Sequence, residues 1–158
     1  MRDIEIEILP VCRRFGLGVI PWSPLGGGML TGKYRPGAEP QEGTRFAAPG
    51  PFQRVWRTRA LNERNHAIVA VVLEEARKLD LSPIALALAW NLARPGVVAP
   101  IIGPKTERQL KDNLAALDVS LPQEVVERID AASEPYLPYP HDFMRMVRQM
   151  AAAQQKRD

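Results

Sequence analysis

"VIPWSPLGGGMLTGKY", residues 19–34, joins an apolar run to an open turn. The run ends at Trp22. Ser23, Pro24 and Leu25 follow, and then three consecutive glycines, Gly26 to Gly28. Leu17 to Trp22 is short and apolar and comes just after a helix stop at Gly16, a pattern that predicts a buried strand of parallel type. Glycines add nothing to a core. They free the backbone to bend left-handed and let N–H groups approach an anion. The stretch reads as a strand end opening into a binding turn.

A second strand candidate, "VVAPII" at 97–102, ends in a similar way. "GPKTERQLKDNLAAL", 103–117, follows it. Thr106 predicts an N-cap, and Gln109 three residues later completes a capping box. A helix N-terminus carries free N–H groups and a positive dipole end, and Lys105 and Arg108 add formal charge there. In parallel α/β architectures ligands bind at the carboxyl ends of strands. The two loops together describe a phosphate site split between two segments. The pattern is neither a P-loop nor a G-x-G-x-x-G turn.

Outward from these stretches the chain reads as mostly helix. Residues 3–15 form an amphipathic helix flawed by Pro10. Residues 35–61 hold Pro36, Pro40, Pro49 and Pro51 with Gly37, Gly43 and Gly50, which predicts a long irregular loop of functional type. That loop carries Arg35, Arg45, Arg54, Arg57 and Arg59, with the last three read as a solvated face. Residues 63–79 place Ile68, Val72, Ala76 and Leu79 on one helical face. Ser82 and Pro83 open another helix that Pro95 and Gly96 close. A helix over 122–132 and a proline-rich tail, 134–158, with a short helix near 142–153, complete the reading. Trp56 and Trp90 are read as packing residues.

Strands separated by helices argue for a parallel sheet. Only two are convincing, and two strands alone leave bare edges and are marginal. The fold class expected is therefore α/β, one domain over 1–158, that looks like part of a larger architecture with few parallel strands and predominantly helical content.

Composition narrows the function. The 158 residues are 46% hydrophobic and 25% charged, with formal charge +3, which suits a globular chain able to take anionic ligands. Basic residues occur without a nucleic-acid module, so nucleic acid is not an expected partner. The single cysteine, Cys12, excludes an internal disulfide and reads as a small buried residue in a reducing compartment. No apolar run approaches the roughly 20 residues of a membrane span, and no signal-peptide pattern opens the sequence, so a cytoplasmic location is expected. No His/Cys/Asp/Glu group has metal-ligand spacing. Tyr34, His66 and His141 read as ordinary loop, capping or surface residues.

The two motifs also carry a resemblance. "GVIPWSPLGGGMLTGKY" resembles the seventh strand and following loop of the aldo/keto reductases, "IIGPKTERQLKDNLAAL" their eighth strand and next helix, and "MRDIEIEILPVCRRFGLG" the helix before strand seven. The similarity is strongest to the branch that includes bacterial reductases and potassium-channel β subunits. It implies a partial (β/α)₈ TIM barrel, NADPH as cofactor and the reduction of aldehydes and ketones. It implies that Trp22 stacks on the nicotinamide and that Ser23, Pro24, Leu25 and Gly26 hold the pyrophosphate, with Lys33 and Arg45 further along the loop. Gly103, Lys105, Gln109, Asp112 and Asn113 match positions around the 2′-phosphate and adenine. Asp112 stands where the family commonly has Glu. Plainer readings remain beside these: Gln109 as a cap, Asn113 as a polar helix residue, Trp22 as barrel core.

The family's Asp, Tyr, Lys and His set lies in the first half of the barrel, so the resemblance assigns this sequence no catalytic residue. The chain is expected to be inactive alone and to hold cofactor weakly, because the nicotinamide amide contacts come from other strands. Its expected partners are NADPH and either the missing half-barrel or a second copy of itself. The competing reading is a non-catalytic nucleotide-binding or self-associating module.

Overall fold

In the computed structural model, which describes residues 2–155, Pro10 lies in the first turn of its helix and not in the middle. First-turn N–H groups have no intrahelical acceptor, so proline breaks nothing there. The helix expected over 3–15 is instead a 3₁₀ turn, Asp3–Glu5, followed by α1, Ile8–Arg14. The Leu17 N–H bonds the Cys12 carbonyl at 2.8 Å and the Gly16 N–H bonds that of Arg13 at 3.3 Å, the paired closure of a Schellman stop. Cys12 is half-buried, not buried as expected, because α1 turns an open face outward.

The segments 17–22 and 97–102 do run parallel. Val19 bridges Val97 and Trp22 bridges Ile101. The Val19 N–H donates to the Gly96 carbonyl (2.8 Å), Val98 to Val19 (2.9 Å) and Ile101 to Pro21 (2.8 Å). From bridge to bridge the first segment advances three residues and the second four, so the pairing slips by one. Pro21 and Pro100 have no N–H to give, and the ladder stays at two isolated bridges. The buried strand expected over Leu17 to Trp22 is thus corrected twice. It is not a full strand, and Leu17, Ile20, Trp22, Val98 and Ile101 are exposed.

A second correction concerns 35–61. Its last proline, Pro51, is the first residue of α2, Pro51–Ala60, where a fixed φ suits the helix. The nine residues after it contain neither proline nor glycine. α3, Glu63–Lys78, is capped by Asn62, whose side chain accepts from the Asn65 N–H at 2.9 Å. α4, Pro83–Leu92, is capped by Ser82, accepting from Ala85 at 3.0 Å. α5, Glu107–Leu114, runs into a 3₁₀ turn, Ala115–Asp118, and α6, Gln123–Ala132, follows.

α4 is apolar all round, and a helix of that kind belongs inside. Ala85, Leu86, Ala87, Leu88 and Ala89 are all buried. Leu86 packs with Val72 and Ala76 of α3 and Val125 and Ile129 of α6. Met29, Tyr34, Phe46 and Val69 make a second cluster, joined to the first through Leu30. Leu88, Ala89 and Ala116 make a third, joined to the first through Leu121. On α3 the buried position is Val69, with Ile68 only half-buried, one residue off the expected face.

Two polar ties hold the helices in register. Glu75 of α3 is buried and pairs with Lys78 (2.9 Å) and Arg128 of α6, while Glu74 takes Arg128 (2.8 Å) and Lys78 (2.9 Å) at the surface. Hydrogen bonds from Lys78 and Arg128 hold the Glu74 carboxyl below its ordinary range. A carboxylate depressed in the folded state stabilises at higher pH and loses that contribution as pH falls through its folded value. Acidification through the carboxylate range is therefore expected to lower the melting temperature, with a shallower slope in Arg128→Gln, checked by thermal melts across pH. On the other side Asp130 accepts from the Trp90 indole N–H (3.0 Å) and from Arg94 (2.8 Å), whose guanidinium stacks on Trp90 at 4.4 Å. Arg2 joins them, donating to the Asp130 carbonyl at 2.9 Å and so fastening the N-terminal segment to α6.

α7, His141–Gln155, follows the proline-rich segment and buries no residue. His141 meets Glu7 at 3.1 Å and Arg145 pairs with Glu134, which fixes only its beginning. Residues 156–158 of the expected tail lie outside the described residues.

Candidate functional site

The two bridged segments deliver their following loops side by side. Trp22 and Ile101 are paired, so Ser23 onward and Ile102 onward leave the same end of the pair. Leu25 of one loop and Ile102 of the other rest on the same cluster, Leu88, Ala89 and Ala116. This anchors both loops to α4. Leu25 enters that cluster with its side chain, leaving its backbone to the turn.

The turn itself is strongly bent. Ser23 has φ +51°, and Gly26, Gly27 and Gly28 have +58°, +68° and +93°. The 3₁₀ segment Gly26–Thr31 is kinked at Gly27 and Gly28. The Gly26 N–H closes on Ser23 (2.9 Å) and that of Gly28 on Leu25 (3.0 Å). Among the described residues, the N–H groups of Leu25 and Gly27 donate to no backbone carbonyl. They are the groups a bound anion would find.

The glycines have a second purpose that the sequence did not disclose. A Cβ on Gly28 would lie 2.6 Å from Lys33 Nζ, and one on Gly27 would lie 2.8 Å from Phe46 Cζ and 3.4 Å from Arg45 Cδ. The bare backbone lets Lys33 lie against the turn at Gly28 and lets Phe46 pack against it at Gly27. Arg45 reaches Ser23 Oγ at 3.4 Å, and Lys33 stands over the Tyr34 ring at 5.2 Å. Tyr34 is buried, tilted against Phe46 at 4.9 Å, with its hydroxyl toward the Gly27 carbonyl at 3.4 Å. Tyr34 is a loop residue, as expected, and its burial makes it a support beneath the turn.

In the second loop Gly103 is open, with nothing within 4 Å of where a Cβ would stand. Thr106 Oγ1 accepts from the Gln109 N–H at 3.2 Å, the expected cap. The return arm differs. Gln109 Oε1 accepts from the Lys105 N–H at 2.7 Å and not from Thr106, so it braces the loop one residue earlier. The side chains of Lys105 and Gln109 are exposed, Asp112 is half-buried and Asn113 is buried at the foot of α5.

Trp22 is 65% exposed, so it is not core here. Its ring meets Trp56 of α2 edge to face at 5.8 Å, and Phe52 meets Trp56 at 5.8 Å. The loop expected over 35–61 does not contain this contact; the i, i+4 spacing of Phe52 and Trp56 after Pro51 is the signal for it. Arg57, read as solvated, pairs with Glu39. Among the described residues no group of three or more His, Cys, Asp or Glu could hold a metal, and no helix is long and apolar enough to cross a membrane.

The sequence pattern of the Aldo/keto reductase family matches residues 1–134, taking in both loops and every helix up to α6. This chain belongs to the aldo/keto reductase family. Similar proteins include the uncharacterized oxidoreductase YrpG of Bacillus subtilis, 36% identical over 129 residues, covering 82% of this chain and 36% of that protein. A probable voltage-gated potassium channel subunit beta of Oryza sativa is 38% identical over 140 residues, covering 81% of this chain and 39% of its own length. Protein tas of Escherichia coli is 34% identical over 135 residues, covering 85% and 37%. This chain thus spans little more than a third of the length of the relatives it matches. α7 lies beyond the part that the family pattern matches.

Proposed function

We propose that this chain supplies the cofactor-holding portion of an NADPH-dependent aldo/keto reductase acting on aldehydes and ketones, with its bridged segments standing as strands seven and eight of the barrel. The observation that carries the reading is the placing of Lys33 and Arg45 beside a bent glycine turn in which the Leu25 and Gly27 N–H groups meet no backbone carbonyl, next to a capped loop bearing Lys105. NADPH supplies a hydride when bound. The Ser23–Gly28 turn would hold its pyrophosphate, Trp22 would stack on its nicotinamide, and Lys105 would meet the 2′-phosphate, with Gln109, Asp112 and Asn113 on the adenine side and Gly103 leaving room for it. In such a reductase the proton donor would be the Tyr of the Asp, Tyr, Lys and His set, which lies in the first half of the barrel. A cytoplasmic location belongs to this reading.

The test is NADPH titration of the full chain, followed by quenching of tryptophan fluorescence. Saturable quenching from Trp22 with a dissociation constant weaker than micromolar is expected, and its loss in Lys105→Ala. No quenching at millimolar NADPH would sink the reading for the chain by itself.

A second reading has its own observation. Ile8, Val11, Phe15, Leu17, Ile20, Val98 and Ile101 are all exposed around the bridged pair. Apolar surface of that extent marks an association face, and symmetric pairing of two copies is a common way to cover one. Sedimentation velocity showing a monomer at high concentration would remove this reading.

A further inference from the structure

α7 lies beyond the residues that the family pattern matches, and none of its 15 residues is buried. His141 and Arg145 tie its beginning to Glu7 and Glu134. A helix of this length is marginal in water by itself and draws its stability from packing an apolar face. Such a face is present. At about 100° per residue Phe143, Val147 and Met150 fall on one stripe, with Met144 and Met146 on its flanks. All five are exposed. Arg145 and Arg148 fall on the opposite side.

The order of side chains along the helix selects what covers that stripe. Two copies of α7 laid antiparallel bring Val147 of each level with Met150 of the other. In the same register Met146 comes level with Ala151 and Met144 with Ala153. Each long, adaptable methionine then meets a short side chain, so the two surfaces close without voids. Charge agrees with this register. Arg145 comes level with Ala152 and Arg148 with Gln149, so no arginine faces another. Asp142 comes level with Gln155, where the sequence continues to Lys156 and Arg157, and the two helix dipoles run opposed. A parallel pair would set Arg145 against Arg145, Arg148 against Arg148 and methionine against methionine. A lipid surface fits less well. An interfacial helix is rich in Lys and Arg along its polar face, with Trp, Phe or Leu on the other. Here Arg145 is already paired with Glu134, and residues 149–155 carry no charge.

We infer that α7 is a self-association helix, which pairs antiparallel with α7 of a second copy of this chain through Phe143, Val147 and Met150. The stripe is separate from the apolar surface around the bridged pair, and the inference rests on neither reading given under Proposed function. Phe143 to Gln154 gives a contact only about 18 Å long, so the dimer is a weak one.

Sedimentation velocity on the full chain, from roughly 1 to 500 µM, tests it. A monomer at the low end and a dimer at the high end are expected. Val147→Glu puts a charge in the stripe and is expected to weaken the dimer tenfold or more, with no change in melting temperature, since Val147 is exposed. Ile20→Glu, on the bridged pair, is expected to leave the dimer unchanged. Orientation is read by oxidation in a Cys12→Ser background. Met146→Cys mixed with Ala151→Cys should give the crossed disulfide in several-fold excess over either self-paired product. A monomer at every concentration overturns the inference, as does a dimer that survives Val147→Glu. A dimer that Ile20→Glu removes gives the association to the bridged pair and overturns it too. An excess of self-paired Met146→Cys would make the pair parallel, against the register argued here, and overturns it. A chain that stays monomeric but co-sediments with phosphatidylserine–phosphatidylcholine vesicles would make α7 a lipid-surface helix, with the same consequence.

Discussion

Leu86→Ala is expected to destabilise the fold by about 2–5 kcal/mol, the range for emptying a leucine site in a packed core. Leu86 has 0% exposure and sits where three helices converge, touching Val72 and Ala76 of α3 and Val125 and Ile129 of α6. These neighbours are anchored by the Glu75–Arg128 tie between α3 and α6, which keeps the helices from closing over the cavity. For a chain of this size the melting temperature should fall by roughly 5–15 °C. Leu117→Ala is the control. Leu117 is 69% exposed on the 3₁₀ turn after α5, and its removal should change stability by no more than about 0.5 kcal/mol. Urea denaturation of both variants decides the matter. Equal effects would mean that α4 is not the centre of the fold.

The sequence expectation gave α4 only its ends, although the burial of Leu86 has a signal in its surroundings. "PIALALAWNL" has no polar residue before Asn91, and a helix with no polar face has nowhere to go but inside. Ser82, Thr106 and the closing Pro95-Gly96 were legible for the same kind of reason, because caps and stops act on their immediate neighbours. The carboxyl-end loops were legible because glycine and a helix N-cap have few uses beside an apolar run. What could not be read were properties set by distant residues. The exposure of Trp22 depends on what packs around it, and nothing in "VIPW" tells how little of the ring α2 covers. α2 is hidden by four prolines, of which the last, Pro51, starts the helix. The face of Glu75 was invisible because its partner, Arg128, lies 53 residues away. The contact of Phe52 and Trp56 with Trp22 belongs to the same class.

Gly27→Val is expected to abolish saturable NADPH quenching, with affinity falling roughly tenfold or more, a loss of about 1.4 kcal/mol or greater. Two effects combine. Gly27 holds φ +68°, where a side chain is strained by about 1–2 kcal/mol. A Cβ there would also stand 2.8 Å from Phe46 Cζ. Phe46 is buried against Tyr34 and cannot withdraw, so the turn must move. As the turn moves, Ser23 moves with it, and the Arg45 guanidinium loses Ser23 Oγ. Gly37→Val separates the two effects. Gly37 has φ +71° but nothing within 4 Å, so it bears the backbone strain without the collision. Both variants should melt earlier than the unaltered chain, and only Gly27→Val should lose the cofactor signal. Should both lose it equally, the glycine turn would matter for folding alone, and the anion site would have to lie with Lys105 and the N-terminus of α5. Should neither lose it, the collision with Phe46 would not reach the site, and the turn would not be what holds the cofactor.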